Sequence, residues 1–392
     1  MAAPWEDLPA DLVANIASRL PCLADRHLMS RMYPAWRAAA LLRPLPPAQL
    51  PWLLIPYRSA AILPPHSAHR RASVFCALCD DTHRVRVPRV TGGARFFGSY
   101  QGGWVFLAHG QSCVHAIVNL RTGERVFLPD ELVWEARPRL PMVIRVAALS
   151  APPVPVEGCV AAAIVTIFDP SFLAGPPHIT FWRMGSQVAS CTRQFDAEDV
   201  LHHDGAFHVL STLGNLLVCT PVLQQPLQMH MEFRRFAPLF QYRDQDIGAR
   251  YLVECGGELL MAMRLSHRHQ GLTSGFRVFR MTHLQAGGGP EANLSLATYA
   301  WTEMPTLEGR MLFVGRGCSR SFEVNDFPGF QEGVYFLDDG SFHAVPMISC
   351  GHGPRQYGCC NNGHWTGPPD HVRRRFLHQP PSTYSSPVWI LH

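Results

Sequence analysis

The sequence contains no lysine, because all 34 of its basic residues are arginine. A phosphate-binding P-loop requires a lysine and a following helix, so the glycine-rich run 287–289, which precedes Pro290, cannot be one. Two explanations of the missing lysine stay open. One is compositional bias, since alanine, glycine, proline and arginine are all abundant. The other is that a functional constraint has removed side-chain amines.

Long apolar runs and strong charge are also missing. The longest apolar run, Gly158–Phe168, is about half as long as a membrane-spanning helix requires. A formal net charge of +4 over 392 residues gives no strong field for nucleic acid or an anionic membrane. The first residues carry acidic and no basic side chains, unlike a secretory signal. We therefore expect a soluble protein of the cytoplasm, the nucleus or both, without nucleic-acid or membrane partners.

The 12 cysteines are expected to be reduced and mostly buried, since nothing indicates export. Cys76, Cys79 and His83 have the spacing of metal ligands, but no second pair lies near them in the sequence. A second group contains adjacent cysteines, which rarely bind one ion: Cys350, His352, Cys359, Cys360, His364 and His371. No Gly-x-Ser-x-Gly motif is present. The sequence thus predicts no metal site, no cofactor and no catalytic residue.

Residues 5–43 have the apolar periodicity of three short helices. Pro9 suits the first helical position, and Pro21 ends the first helix. Further helices are predicted over Ala24–Met32 and, opened by Pro34, over Ala35–Leu42. The first helix has an apolar face with one residue widening it: Leu8, Leu12, Ile16 and Leu20, with Val13. Such a small module buries little surface alone, so this face either binds a partner or packs on the following domain.

The N-terminal segment resembles an F-box, with Leu-Pro, the apolar stripe, a second Leu-Pro and Trp-Arg at matching spacing. More narrowly, it is similar to the F-boxes of a large plant family that carries a kinase-interacting-type β-propeller. Met32-Tyr33 replaces the usual Val-Cys of that family. The resemblance implies helix-in-groove binding to the Skp-type linker, and through it to cullin. The residues implied in that contact are Leu8, Pro9, Leu12, Val13, Ile16, Leu20, Pro21 and Trp36.

After a proline-rich connector, residues 44–56, the periodicity changes to short strands between glycine-containing turns. Predicted strands include Trp104–Ala108, Val114–Leu120 with Arg125–Leu128, Ala206–Leu210 with Leu216–Thr220, Leu259–Met263 and Val334–Leu337. Composition leaves a sandwich array, a barrel and a propeller open. Resemblance to the same family, through Tyr251–Leu260, Leu312–Ser321 and Pro387–Trp389, implies a β-propeller over residues 57–392, and that length leaves room for about six or seven blades.

The expected fold is therefore mainly β, with a three-helix F-box at residues 1–43 and a propeller behind it. The resemblance implies a non-catalytic substrate receptor of an SCF-type ubiquitin ligase, whose target protein is unknown and could be a kinase. A lysine-free chain would then offer only the α-amino group of Met1 as an acceptor. Two alternatives stay open. A propeller protein could have lost linker binding, or a propeller enzyme or metal-dependent binder could bury the Leu8–Leu20 stripe and gather ionisable side chains in its channel.

Overall fold

The computed structural model describes residues 5–20, 22–41, 49–56, 69–133, 139–167, 176–222, 227–239, 242, 247–266, 271–284, 297–340, 355–367 and 370–392. Three helices lie in the N-terminal module: α1 (Ala10–Arg19), α2 (Leu23–Met32) and α3 (Pro34–Leu41). The rest of the described chain is mainly strands. The expected class, mainly β with a small helical N-terminal module, is confirmed.

Two of the three helices, α1 and α3, begin at a proline or next to one. Pro34 occupies the first position of α3, as predicted. Pro9 was predicted at the same position in α1, but it is the N-cap, with φ −52° and ψ 142°. Pro9 has an extended ψ and stands just before the helix. The backbone amides of Leu12 and Val13 donate the first hydrogen bonds of the helix to the Pro9 carbonyl. The missing N–H of proline costs nothing at either position.

The strands follow one another from the connector to the C-terminus. They are β1 (Trp52–Ile55), β2 (His69–Cys76), β3 (Asp81–Pro88), β4 (Arg95–Tyr100), β5 (Trp104–Ala108), β6 (His115–Asn119), β7 (Arg125–Phe127), β8 (Glu131–Val133), β9 (Leu140–Leu149), β10 (Val160–Ile167), β11 (His178–Arg183), β12 (Val188–Gln194), β13 (Ala197–His203), β14 (Ala206–Ser211), β15 (Leu216–Val222), β16 (Gln228–Arg234), β17 (Ile247–Cys255), β18 (Glu258–Ser266), β19 (Thr273–His283), β20 (Tyr299–Glu303), β21 (Arg310–Val314), β22 (Arg320–Glu323), β23 (Gly333–Phe336), β24 (Asn362–Thr366), β25 (His371–Arg375) and β26 (Val388–Ile390).

These strands form six consecutive sheets within the described residues. Sheet 1 has the order β26-β1-β2-β3, sheet 2 is β4–β7, sheet 4 is β13–β16 and sheet 5 is β17–β20. Sheet 6 has the order β22-β21-β23-β24-β25, and sheet 3 (β8–β12) closes on itself as a small barrel. The five open sheets alone are fewer than the six or seven blades expected from length. If the closed sheet is counted as a blade, the total is six, the lower end of that expectation.

The ring of sheets is closed by the two ends of the propeller chain. The C-terminal strand β26 pairs antiparallel with β1, with Leu53 opposite Trp389. Trp52–Ile55 were expected to be connector, so the predicted boundary at residue 56 is wrong in this part. The apolar run Trp-Leu-Leu-Ile is fully buried and hydrogen-bonds on both edges. Residues 42–48 of the predicted connector lie outside the described residues.

The core of the propeller lies between neighbouring sheets, and β10 is its most completely buried long strand. All eight residues of β10 are buried, which accounts for the longest apolar run in the sequence. Fully buried strands read as continuous apolar runs because both of their faces are covered. None of the described helices combines the length and apolar character needed to cross a membrane.

Candidate functional site

An apolar surface is exposed on α1. Leu12 and Ile16 lie one helical turn apart and are 45% and 36% exposed. Pro9, immediately before the helix, is also exposed. Residues four apart lie on the same side of a helix, so Leu12 and Ile16 form one continuous patch. We call Pro9, Leu12 and Ile16 the α1 patch.

The other residues predicted to contact a linker have internal or partly internal positions. Val13 is 1% exposed and packs with Met29, so it belongs to the core of the module and not to its surface. Val13 was predicted to contact the linker, but its side chain is buried inside the module and not available to a partner. The half-buried side chains around that core include Leu8, Leu20 and Trp36. Pro21 lies outside the described residues.

Further exposed apolar side chains of the module did not enter the predicted contact set. They are Trp5, Leu28 and Met32. Trp5 is held against the module, because Trp36 Nε1 donates to the Trp5 carbonyl at 3.1 Å. Leu28 and Met32 lie four residues apart in α2 and so on one side of it, and this spacing is the sequence signal for their exposed pair.

The module is packed against sheet 1 through the start of α2. Cys22 lies within the core of sheets 1 and 2, and Leu23 and Ala24 pack against that core. Leu23 N donates to Gln49 Oε1 at 3.2 Å. A cleft of about 830 Å³ runs along this junction and is lined by side chains of α2, β1 and β3, including several arginines. The orientation of the α1 patch relative to the propeller is therefore defined by packing.

A buried ionic network joins sheets 4, 5 and 6. Glu198 on β13 accepts from Arg250 on β17 at 3.2 Å and pairs with Arg316 at 3.3 Å. Arg316 also pairs with Asp339 at 3.1 Å, and Arg264 pairs with the same carboxylate at 3.0 Å. Both carboxylates are thus neutralised by arginines from neighbouring sheets. Such a network supports the scaffold, because buried charges are tolerated only when they are paired.

The protonation of this network follows from its burial and its partners. Burial acts to lower the pKa of Arg316, but Asp339, Tyr251 and Glu198 offset this, and the pKa is raised. Burial raises the pKa of Tyr251, and the Asp339 carboxylate raises it further. Tyr251 therefore stays neutral and donates to Asp339 Oδ1 at 2.8 Å. Burial raises the pKa of Asp199 to about 7, against hydrogen bonds from three backbone amides that act to lower it.

A second cleft, of about 400 Å³, lies between sheets 4 and 5. His203, His208, Glu232 and Arg234 contribute its polar lining. Burial lowers the pKa of His208 to about 4, and the charges of His203 and Arg234 lower it further. His208 is therefore neutral at physiological pH, and the acidic side chains of Asp204 and Glu258 line this cleft together with Glu232 and Arg234.

The structure brings together only one of the two groups of candidate metal ligands within the residues that it describes. Of the C-terminal group, Cys350 and His352 lie outside the described residues, and the described members form no ligand cluster. Cys76, Cys79 and His83, by contrast, are brought together with Cys22. Cys22 comes from the N-terminal module, far from the other three in the sequence, and was not predicted as a ligand.

The alternative of a propeller enzyme predicted two features, a buried Leu8–Leu20 stripe and a convergence of ionisable side chains. Its first feature, a buried Leu8–Leu20 stripe, is not found, because Leu12 and Ile16 are exposed. Its second feature is a convergence of ionisable side chains in the propeller channel, and the convergence that the structure describes, around Glu198 and Asp339, joins neighbouring sheets. The carboxylates there are paired with arginine and tyrosine, so they offer no unpaired acid and base in the arrangement that general acid–base catalysis uses.

Fold and site together define a β-propeller protein with a helical module docked on its first sheet. The KIB1-4 beta-propeller family matches residues 74–361, which is more than half of the chain. The chain therefore belongs to the KIB1-4 beta-propeller family.

A curated relative and a solved structure were also found. An F-box/kelch-repeat protein of Arabidopsis thaliana is 28% identical over 226 residues, which are 55% of this chain and 54% of that protein. The chain thus matches about half the length of this relative. The crystal structure of the N-terminal domain of Nup159 aligns with a TM-score of 0.31 and 10% identity, over 81% of this chain and 73% of that one. A similarity this low carries no argument.

Proposed function

We propose that the chain is a substrate-receptor subunit of an SCF-type cullin ubiquitin ligase. The N-terminal module would act as an F-box that binds the Skp-type linker, and the propeller would bind the target protein. The observation that carries this proposal is the α1 patch, an exposed apolar surface on a small helical module fixed to a propeller. Membership of the KIB1-4 beta-propeller family and a relative named as an F-box protein support it.

Linker binding would follow the physics of a helix in a groove. Leu12 and Ile16 keep much of their surface in water in the isolated chain. A fully buried leucine or isoleucine contributes about 1.5–3 kcal/mol, so these two anchors could supply a large part of a micromolar affinity. Val13 and Met29 would hold the helices rigid from inside, which limits the ordering cost of binding.

The propeller would act on its target through effective concentration and not through bond chemistry. Loops on a rigid scaffold commonly carry recognition residues, and the kinase-interacting type of propeller makes protein kinases the first class of target to test. The absence of lysine fits this role, because a receptor beside a ubiquitin-transfer site would then offer no side-chain amine of its own.

The test is the affinity of the purified full chain for a purified Skp-type linker, measured by isothermal titration calorimetry. Replacing both Leu12 and Ile16 by aspartate removes two apolar anchors and places charges in the groove. We expect the affinity to fall by at least about 100-fold, which corresponds to about 2.7 kcal/mol. The propeller should keep its circular-dichroism spectrum and melting temperature, because both side chains are exposed.

The control is Ser18→Asp, which adds one of the two negative charges of the double variant to an exposed position on the polar side of the same helix. This variant should bind as the parent does. No binding by the parent chain would instead favour the alternative of a propeller protein that has lost linker binding through Met32-Tyr33. Equal losses in both variants would show that charge on α1, and not the α1 patch, controls binding.

A further inference from the structure

Four metal-ligating side chains from distant parts of the chain meet beside the junction of the N-terminal module with sheet 1. They are Cys22, Cys76, Cys79 and His83, and their ligand atoms all lie within 4.8 Å of one another. Within the ranges that the structure describes, no other group of three or more such side chains meets this condition. Chance proximity of this kind is unusual for reduced thiols, which are dispersed through the rest of the core.

The β2–β3 hairpin supplies three of the four ligands. Strand β2 ends at Cys76, which pairs with Asp81 at the start of β3. The turn between these strands carries Cys79, and Asp80 has a positive φ of 54° that reverses the chain. His83 follows on β3 and presents its ring to the same side. A Cys-x-x-Cys pair has the ligand spacing typical of structural zinc sites, and three cysteines with one histidine are one of their usual ligand sets.

The fourth ligand comes from the N-terminal module. Cys22 immediately precedes α2 and is fully buried, in the same core cluster as Cys76. His83 Nε2 lies 3.2 Å from Cys22 Sγ and 3.0 Å from Cys79 Sγ. The imidazole therefore bridges a thiol of the module and a thiol of the hairpin.

These separations suit a tetrahedral ion. With Zn–S near 2.3 Å and Zn–N near 2.0–2.1 Å, the edges of the tetrahedron are about 3.6–3.8 Å long. The Nε2–Sγ separations of 3.2 Å and 3.0 Å are shorter than these edges, and the limit of 4.8 Å that encloses all four atoms is longer, so a small outward shift of the His83 ring would seat the ion. Three thiolates and one imidazole are a donor set that zinc favours over magnesium or calcium.

We propose that Cys22, Cys76, Cys79 and His83 bind one structural zinc ion, which fastens the N-terminal module to the first sheet of the propeller. Four protein ligands complete the tetrahedron and leave no position for water or substrate, so the ion has no catalytic role. The bond network links a residue of the module directly to the β2–β3 hairpin. It fixes the direction in which the α1 patch faces, whether or not that patch binds a linker.

The test is the zinc content of the purified full chain, produced with added zinc and measured by inductively coupled plasma mass spectrometry. We expect about one zinc per chain in the parent. Cys79→Ser and His83→Ala each remove one ligand and should reduce the zinc content at least five-fold. Cys113→Ser is the matched control, because Cys113 is an exposed cysteine of the same propeller outside the group, and it should keep the zinc of the parent.

A spectrum of the parent chain tests the site even if a ligand variant fails to fold. Cobalt(II) exchanged into the parent should give the visible absorption of a tetrahedral ion together with thiolate-to-cobalt charge transfer. Added zinc should abolish both. A parent chain that holds no zinc, zinc that is equal in Cys79→Ser and the parent, or a cobalt spectrum of octahedral type would each overturn the proposal.

The structural role has its own readout. Removal of the ion by a strong chelator should lower the melting temperature of the parent and of Cys113→Ser. The same chelator should leave Cys79→Ser unchanged, because that variant has little ion to lose. A melting temperature of the parent that does not respond, after loss of the zinc has been verified, would contradict the fastening role.

Discussion

Adjacent residues of α1 have opposite surroundings. Leu12 is exposed in the α1 patch, whereas Val13 is buried against Met29. Successive residues of a helix differ by about 100° in direction, so a one-residue step is enough to move a side chain from the surface into the core. This geometry separates residues that stabilise the module from residues available to a partner, although all of them are apolar.

At the residue scale, His208 gives a prediction about pH. Its folded-state pKa is lowered to about 4 by burial and by the charges of His203 and Arg234. Between about pH 6.5 and pH 4 the unfolded chain binds a proton at this histidine and the folded chain does not. The free energy of unfolding should therefore fall on acidification, at up to about 1.4 kcal/mol per pH unit from this residue.

The variant His208→Gln removes this contribution. Urea unfolding followed at several pH values between neutrality and about pH 4.5 should give a shallower loss of stability for the variant than for the parent. Curves that stay parallel over this range would show that His208 does not titrate as its surroundings require.

At the element scale, the closing strand β26 holds both ends of the propeller chain together. Trp389 on this strand is buried and donates from Nε1 to the Val314 carbonyl at 2.8 Å. Its ring packs edge-on against Phe313 with 5.2 Å between centroids. One side chain thus connects sheet 1, which contains β26, with β21 of sheet 6.

Trp389→Ala should destabilise the protein by about 3–5 kcal/mol, because it creates a cavity and leaves the Val314 carbonyl without this partner. The change can be measured as a shift in the midpoint of urea unfolding. Tyr384→Ala, a nearby aromatic that is 42% exposed, is the control and should cost less than about 1 kcal/mol. Similar losses in the two variants would mean that β26 does not close the ring.

Strands with local signals were predictable from the sequence. Trp104–Ala108 is β5 as predicted, and the predicted hairpin around Gly123 is the pair β6–β7. Glycine at a positive φ and an apolar run on each side are local features. Strand β1 was missed because prolines surround Trp52–Ile55, and its pairing with β26 depends on residues at the other end of the chain.

The α1 patch and the cysteine–histidine group could each be predicted only in part from the sequence. The helical stripe identified Leu12 and Ile16, but periodicity could not tell which side the rest of the module covers. The Cys-x-x-Cys pair and His83 were visible in the sequence, whereas Cys22 was not recognised as their partner. That proximity arises only when the module packs on sheet 1, and no local pattern encodes it.

At the scale of the whole molecule, rigidity is the common feature. The ionic network of Arg316, Glu198 and Asp339 joins three sheets, β26 closes the ring, and the Cys22 group joins the module to sheet 1. Composition could not choose between sandwich, barrel and propeller, and it could not foresee that sheet 3 closes on itself. A rigid body of this kind suits a receptor, because it would hold a bound target at a fixed distance from the linker.

The most direct test of the receptor role is the mass of the assembly formed by the full chain, a Skp-type linker and a cullin. Size-exclusion chromatography with light scattering would measure it on the mixed, purified proteins. The account predicts one species with the mass of a complex containing one copy of each, and its loss when Leu12 and Ile16 are both replaced by aspartate. Elution of the chain at its own mass, 43.7 kDa, beside a separate linker–cullin complex would contradict it.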